Sequence, residues 1–192
     1  TWAGLANSSS SELVNILISY IYSIKALGFY FLPNRVLGVP SAFISNSIGQ
    51  VFFQQASNEK AKTGSVKKTF VNTLKKLSII SIIIFSILFF IIEDMFILVF
   101  GENWSASGTY AKILIPLFCI RFIVSPLSLM SFIFNKNEIE FIWQFALLVI
   151  HLLTVLLAFY LKLSIENYLS IMVIAVSLHY LLLLKIISNY NK

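Results

Sequence analysis

The chain has 192 residues, 58% of them hydrophobic and only 11% charged, with a mean hydropathy of +0.89. Ordinary soluble domains carry ~45–50% apolar and ~25% charged residues, so this composition excludes that class and points to a protein whose solvent is lipid. The formal net charge of +6 does not imply nucleic acid, because six of the 14 basic residues fall between Lys60 and Lys76, the pattern of a basic membrane loop.

At ~20 apolar residues per span, roughly six helices fit the chain. Six apolar segments can be marked in order, at about 6–24, 30–57, 70–92, 109–134, 141–161 and 168–187. The expected fold is therefore an all-α integral membrane protein, a six-transmembrane-helix bundle with a basic loop over 58–69. No signal peptide is visible and the chain starts at Thr1 without an initiator Met, which reads as a fragment.

Segment one places Ser8, Ser11, Asn15, Ser19 and Tyr22 at spacings of three or four, on one helix face. Leu13, Val14, Leu17 and Ile18 make the opposite, apolar face. Such a polar face serves either as glue between membrane helices or as the wall of a hydrated cavity. Glu12 sits in the same segment, where it either pairs with a lysine or titrates.

Segment two is richer. Asn46, Gln50, Gln54 and Ser57 form a polar stripe, and Gly38, Ala42, Ser45 and Gly49 form a small-residue stripe that admits close helix approach. Pro40 removes a backbone donor and is expected to bend the helix. Arg35 lies near a membrane interface, either snorkelling or facing an anion.

Segment three, from Leu77 to Ile92, is interrupted only by serines, whose hydroxyls can bond within their own helix. Segment four carries Arg121 near its middle, between Pro116 and Pro126. A charge at the bilayer centre costs ~2.5–3.5 kcal/mol on translocon scales, so Arg121 is expected to face protein or water. Two readings follow: carbonyls freed by the prolines satisfy it, or it contacts an anion such as phosphate.

His151 and His179 lie singly in apolar runs, without a carboxylate within a helical turn, and are read as packed, hydrogen-bonded histidines. Cys119 has no partner for a disulfide. Trp104, Tyr110, Trp143, Tyr160 and Tyr168 fall near segment ends and are expected at the headgroup layer. Glu93, Asp94, Glu138 and Glu140 also sit at segment ends and read as solvated edges. No Gly-rich phosphate loop, HExxH, paired Cys ligands or nucleophile elbow occurs, so neither an enzyme nor a bound cofactor or metal is expected. The even connections and the C-terminal end are the basic ones, which places both ends of the chain in the cytoplasm.

Gly28-Phe-Tyr, Asn34-Arg-Val-Leu-Gly-Val-Pro40, Ile48-Gly-Gln-Val-Phe-Phe-Gln54, Phe100-Gly-Glu-Asn-Trp104, Gly108-Thr-Tyr-Ala111 and Arg121-Phe-Ile-Val-Ser-Pro126 resemble the C-terminal half of Wzx-type oligosaccharide flippases. These belong to a superfamily that includes the MATE exporters. The resemblance covers nearly the whole chain. It implies one six-helix lobe of a twelve-helix transporter in the bacterial inner membrane, which moves undecaprenyl-diphosphate-linked oligosaccharide between leaflets through a central cavity. Rocking of two repeats needs the second one, so a missing N-terminal lobe or a second chain is an expected partner, alongside membrane lipid.

From residue chemistry, Arg121 and Arg35 are the candidates for the diphosphate and Asn15, Asn46, Gln50 and Gln54 for the sugar hydroxyls. Competing readings are a cation-coupled MATE-like exporter half, which would rely on Glu12, a non-transporting assembly subunit of the membrane, and a truncated fragment without activity.

Overall fold

The computed structural model describes residues 14–191, all helices and turns. A first helical stretch, α1 (14–21), leads into α2 (Ile24–Thr63), α3 (Lys67–Phe100), α4 (Ser105–Leu127), a one-turn α5 (Met130–Ile133), α6 (Asn137–Tyr160) and α7 (Ile165–Ser188). A 3-10 turn precedes α4 at Glu102–Trp104 and another follows α7 at Asn189–Asn191. Among the described residues, five helical spans are long and apolar enough to cross a bilayer, with Glu102–Ile133 counted as one. The chain is thus a multi-pass helical bundle. Ser8, Ser11, Glu12 and Leu13 lie outside the described residues.

The helix ends follow local chemistry. Ser23 adopts an extended conformation and its hydroxyl accepts the Ala26 N–H at 3.0 Å, so α2 starts there rather than near Tyr30. At the other end Gly64 takes the left-handed conformation (φ 73°) and its N–H closes on the Lys60 carbonyl at 2.8 Å. The basic loop expected over 58–69 is therefore mostly helix, with only 64–66 between α2 and α3. Lysine is a good helix former, and the charge pattern reports a side of the membrane, not a backbone conformation.

With 40 residues, α2 is about 60 Å long and overshoots a ~30 Å hydrocarbon core. The N-cap position of α3, Val66, has no capping side chain. Glu59 on α2 fills that role: its carboxylate accepts the N–H groups of Lys68 (3.1 Å) and Thr69 (2.8 Å), the second and third orphan donors of α3.

The centre of the bundle is α4, which packs against α2, α3 and α7, while α6 packs on α7. Small residues set the close approaches. A Cβ on Gly108 would stand 3.0 Å from the Glu93 Cα and 3.3 Å from the Phe96 Cβ of α3. On Gly49 it would meet Leu129 at 3.2 Å and Pro126 at 3.6 Å. Of the stripe read on α2, Ser45 and Gly49 are the buried members, whereas Gly38 is half-buried beside Phe118 and Ala42 is exposed.

Ser81 is fully buried and donates to the Cys119 carbonyl at 2.9 Å, with the Cys119 Sγ at 3.2 Å. It ties α3 to α4 instead of bonding within its own helix. The outer face of α3 exposes Ile79, Ile83, Ile87 and Phe90, a continuous apolar stripe that lipid accounts for.

Several end-of-segment residues differ from expectation. Tyr110, Trp143 and Tyr168 are buried, because their helix faces turn inward onto neighbouring helices, and only Tyr160 is strongly exposed. Trp104 instead packs edge-on against Phe29, with centroids 5.7 Å apart. Glu93 is no free edge either: its Oε2 pairs with the Lys112 Nζ at 2.5 Å.

Candidate functional site

One cavity of about 610 Å³ opens between α1, α2, α4, α6 and α7. Each helix lends it one face at helical spacing. From α4 come Leu114, Phe118, Arg121 and Ser125, from α6 Leu147 and His151, and from α7 Met172, Val176 and Tyr180. α2 contributes Tyr30, Asn34, Arg35, Gly38, Ala42, Ser45 and Asn46, and α1 contributes Asn15. Residues three, four and seven apart share one side of a helix, which is why these sets recur.

Four of the six residues selected from the sequence, Asn15, Arg35, Asn46 and Arg121, line this cavity. Gln50 and Gln54 do not: they continue the stripe of α2 toward the basic end, beyond the cavity, and are exposed. Ser19 has already turned its hydroxyl back to the Ile16 carbonyl at 2.7 Å. Asn34, absent from the selection, donates its amide to the Tyr30 carbonyl at 2.8 Å.

The electrostatics are one-sided. The charged groups on the cavity wall are Arg35 and Arg121, and no Asp or Glu lines it among the described residues. Arg121 makes neither an ion pair nor a hydrogen bond to a proline-freed carbonyl among the described residues. Its guanidinium lies over the Phe118 ring at 5.7 Å and the Tyr180 ring at 5.8 Å. Arg35 lies over Phe31 at 4.8 Å. Aromatic faces attract a cation without neutralising it, so both charges remain available to an anion.

The two histidines part company. His179 is buried, stacked on Trp143 with centroids 3.3 Å apart, and its Nε2 is 3.2 Å from the Trp143 carbonyl, a contact that assigns the proton to Nε2. His151 lines the cavity, and its Nδ1 is buried without a partner. Sequence spacing alone does not separate them, since their difference lies in the phase of α6 and α7 against α4. Tyr180 was missed for the same reason.

A cavity with two uncompensated guanidiniums and amide side chains can hold a multiply charged phosphate through bidentate N–H contacts and hydroxyl-rich groups through Asn15 and Asn46. Glu12, on which a cation-coupled exporter reading depends, lies outside the described residues.

A family model described as polysaccharide biosynthesis protein matches residues 1–109, more than half of the chain. The teichuronic acid biosynthesis protein TuaB of Bacillus subtilis (strain 168) is 23% identical over 147 residues, which is 77% of this chain and 30% of that protein. The chain thus spans less than a third of that relative. No solved structure matches. The chain belongs to the polysaccharide biosynthesis protein family.

Proposed function

We propose that the chain is one six-helix lobe of a polysaccharide flippase, carrying undecaprenyl-diphosphate-linked oligosaccharide from the cytoplasmic to the outer leaflet of the bacterial inner membrane. The observation that carries this reading is the cavity in which Arg121 and Arg35 stand without a carboxylate. A diphosphate entering such a cavity exchanges hydration for charge-assisted bonds to guanidinium, while its lipid tail stays in the bilayer.

Amides suit the sugars because each both donates and accepts, and in this reading Asn15 and Asn46, on the wall of the same cavity, are the sugar contacts. The family match and the teichuronic acid biosynthesis named for TuaB support a role in polysaccharide synthesis or export. In this reading both ends of the chain are cytoplasmic, with Lys60, Lys62, Lys67 and Lys68 on that side. A second lobe, from the same polypeptide or another, completes the transport path.

The test is Arg121→Gln introduced at the chromosomal locus of the host. Surface polysaccharide is expected to fall severalfold while lipid-linked oligosaccharide accumulates on the inner leaflet and the amount of protein in the membrane is unchanged. Normal surface polysaccharide at equal protein level rejects the assignment.

A further inference from the structure

Arg121 is a charge within a membrane-length span, exposed to the cavity and held in an unusual way. Phe118 lies three residues back on the same helix, and Tyr180 comes across from α7. Tyr180 is in turn anchored by its neighbour. His179 meets the Tyr180 ring at 6.3 Å, stacks on Trp143 of α6, and bonds the Trp143 carbonyl. A chain of rings therefore links α6, α7 and α4 and ends at Arg121, well inside the 32-residue span Glu102–Ile133.

A carboxylate in this place would cancel the charge and occupy two of the five guanidinium donors. A ring attracts the cation through its quadrupole and supplies no oxygen acceptor. An arginine left to itself has four side-chain torsions and could leave the cavity wall. Holding it by ring faces reduces that freedom while leaving its donors open.

We propose that Tyr180 is a positioning residue for anion recognition: its ring, with Phe118, holds the Arg121 guanidinium in the cavity with its N–H donors free for the diphosphate of the substrate. This rests on the cavity reading above and adds to it a role for the ring, rather than the hydroxyl, of Tyr180.

The experiment uses the whole chain in nanodiscs and farnesyl diphosphate as probe, with farnesol as the control lacking phosphate. Arg121→Gln is expected to lower diphosphate affinity about tenfold or more without affecting farnesol. Tyr180→Phe is expected to bind like the parent, and Tyr180→Leu about three- to tenfold more weakly, the range of a partly desolvated cation–π contact. Because Leu changes packing as well, Tyr180 is also replaced by phenylalanines of increasing fluorination, which keep the ring's shape and weaken its quadrupole. Affinity is expected to fall stepwise with fluorine number.

Tyr180→Phe binding as weakly as the Leu variant assigns the effect to the hydroxyl and overturns the proposal. A flat fluorination series with a weakened Arg121→Gln overturns the positioning role while leaving the cavity reading in place. Unchanged binding by Arg121→Gln overturns both.

Discussion

Gly108 and Gly28 provide a matched pair for testing how tightly α4 is seated. Both are helical, so replacing either by Ala gains a similar propensity term of about 0.5–1 kcal/mol. Their surroundings differ. A Cβ on Gly28 meets nothing within 4 Å, whereas on Gly108 it meets the Glu93 Cα at 3.0 Å, the Glu93 carbonyl oxygen at 3.2 Å and the Phe96 Cβ at 3.3 Å. Two of those three atoms are backbone and cannot swing aside, so α3 and α4 must separate by a few tenths of an ångström.

Overpacking of this kind costs about 1–3 kcal/mol. Because the propensity term cancels between the two variants, Gly108→Ala is expected to be about 1–3 kcal/mol less stable than Gly28→Ala, and Gly28→Ala slightly more stable than the parent. The separation also loosens the Glu93–Lys112 pair, whose lysine lies one turn after Gly108. Reversible unfolding in mixed micelles titrated with SDS measures both. Equal stability of the two alanine variants would refute the claim that contact with α3 requires glycine at 108.

Two further outcomes follow from the basic end of the bundle. Burial alone would raise the Glu59 carboxyl, but hydrogen bonds from Thr69 and Lys68 and the Lys68 charge outweigh it and hold the group below its usual range. Its folded value being the lower one, the stabilisation is present above the ordinary glutamate pKa of about 4.3 and is lost as pH falls below it. Glu59→Ala should cost about 0.5–2 kcal/mol near neutral pH, as loss of a helix cap does, and the gap from the parent should close in unfolding titrations run at progressively more acidic pH. A gap that is constant with pH contradicts the capping role. Lys60 donates to the Ile133 carbonyl at 2.6 Å and lies 4.3 Å over the Phe134 ring. Lys60→Met is expected to cost about 1.5–3 kcal/mol, and hydrogen exchange should report faster opening at 130–134 but not at α7. Unchanged exchange there contradicts the tie between α2 and α5.

Much of the fold is legible in the sequence because hydropathy reports lipid contact directly, and the spans sit close to where the apolar runs place them. Their ends are less legible. The segments at 6–24 and 30–57 put the first break over 25–29, yet Ser23 carries the cap, and α3 is capped by Glu59, a residue of another helix that no local motif reveals. The cavity is partly visible through chemistry: Arg121, Arg35, Asn15 and Asn46 are costly in lipid, which favours protein or a cavity as their surroundings, and all four line it. Gln50 and Gln54 share the stripe of Asn46, but α2 is longer than the cavity, so periodicity overran the site. His151 and Tyr180 could not be singled out, because whether a lone His or Tyr faces a cavity depends on the rotation of α6 and α7 about α4.

The length of α2 has a mechanical consequence. Pro33 and Pro40, which cannot donate to the carbonyls four residues back, lie beside the cavity, and from Ser41 to Thr63 the helix contains no further proline. If α2 bends at Pro40, that unbroken stretch acts as a lever with its fulcrum beside the cavity. A 10° swing at Pro40 would carry Lys60, roughly 30 Å away along the axis, through about 5 Å. A hydrogen bond cannot stretch that far, so the Lys60–Ile133 bond must either break or drag α5 along. A bend of α2 beside the cavity would thereby be felt at the basic end of the protein, through one helix.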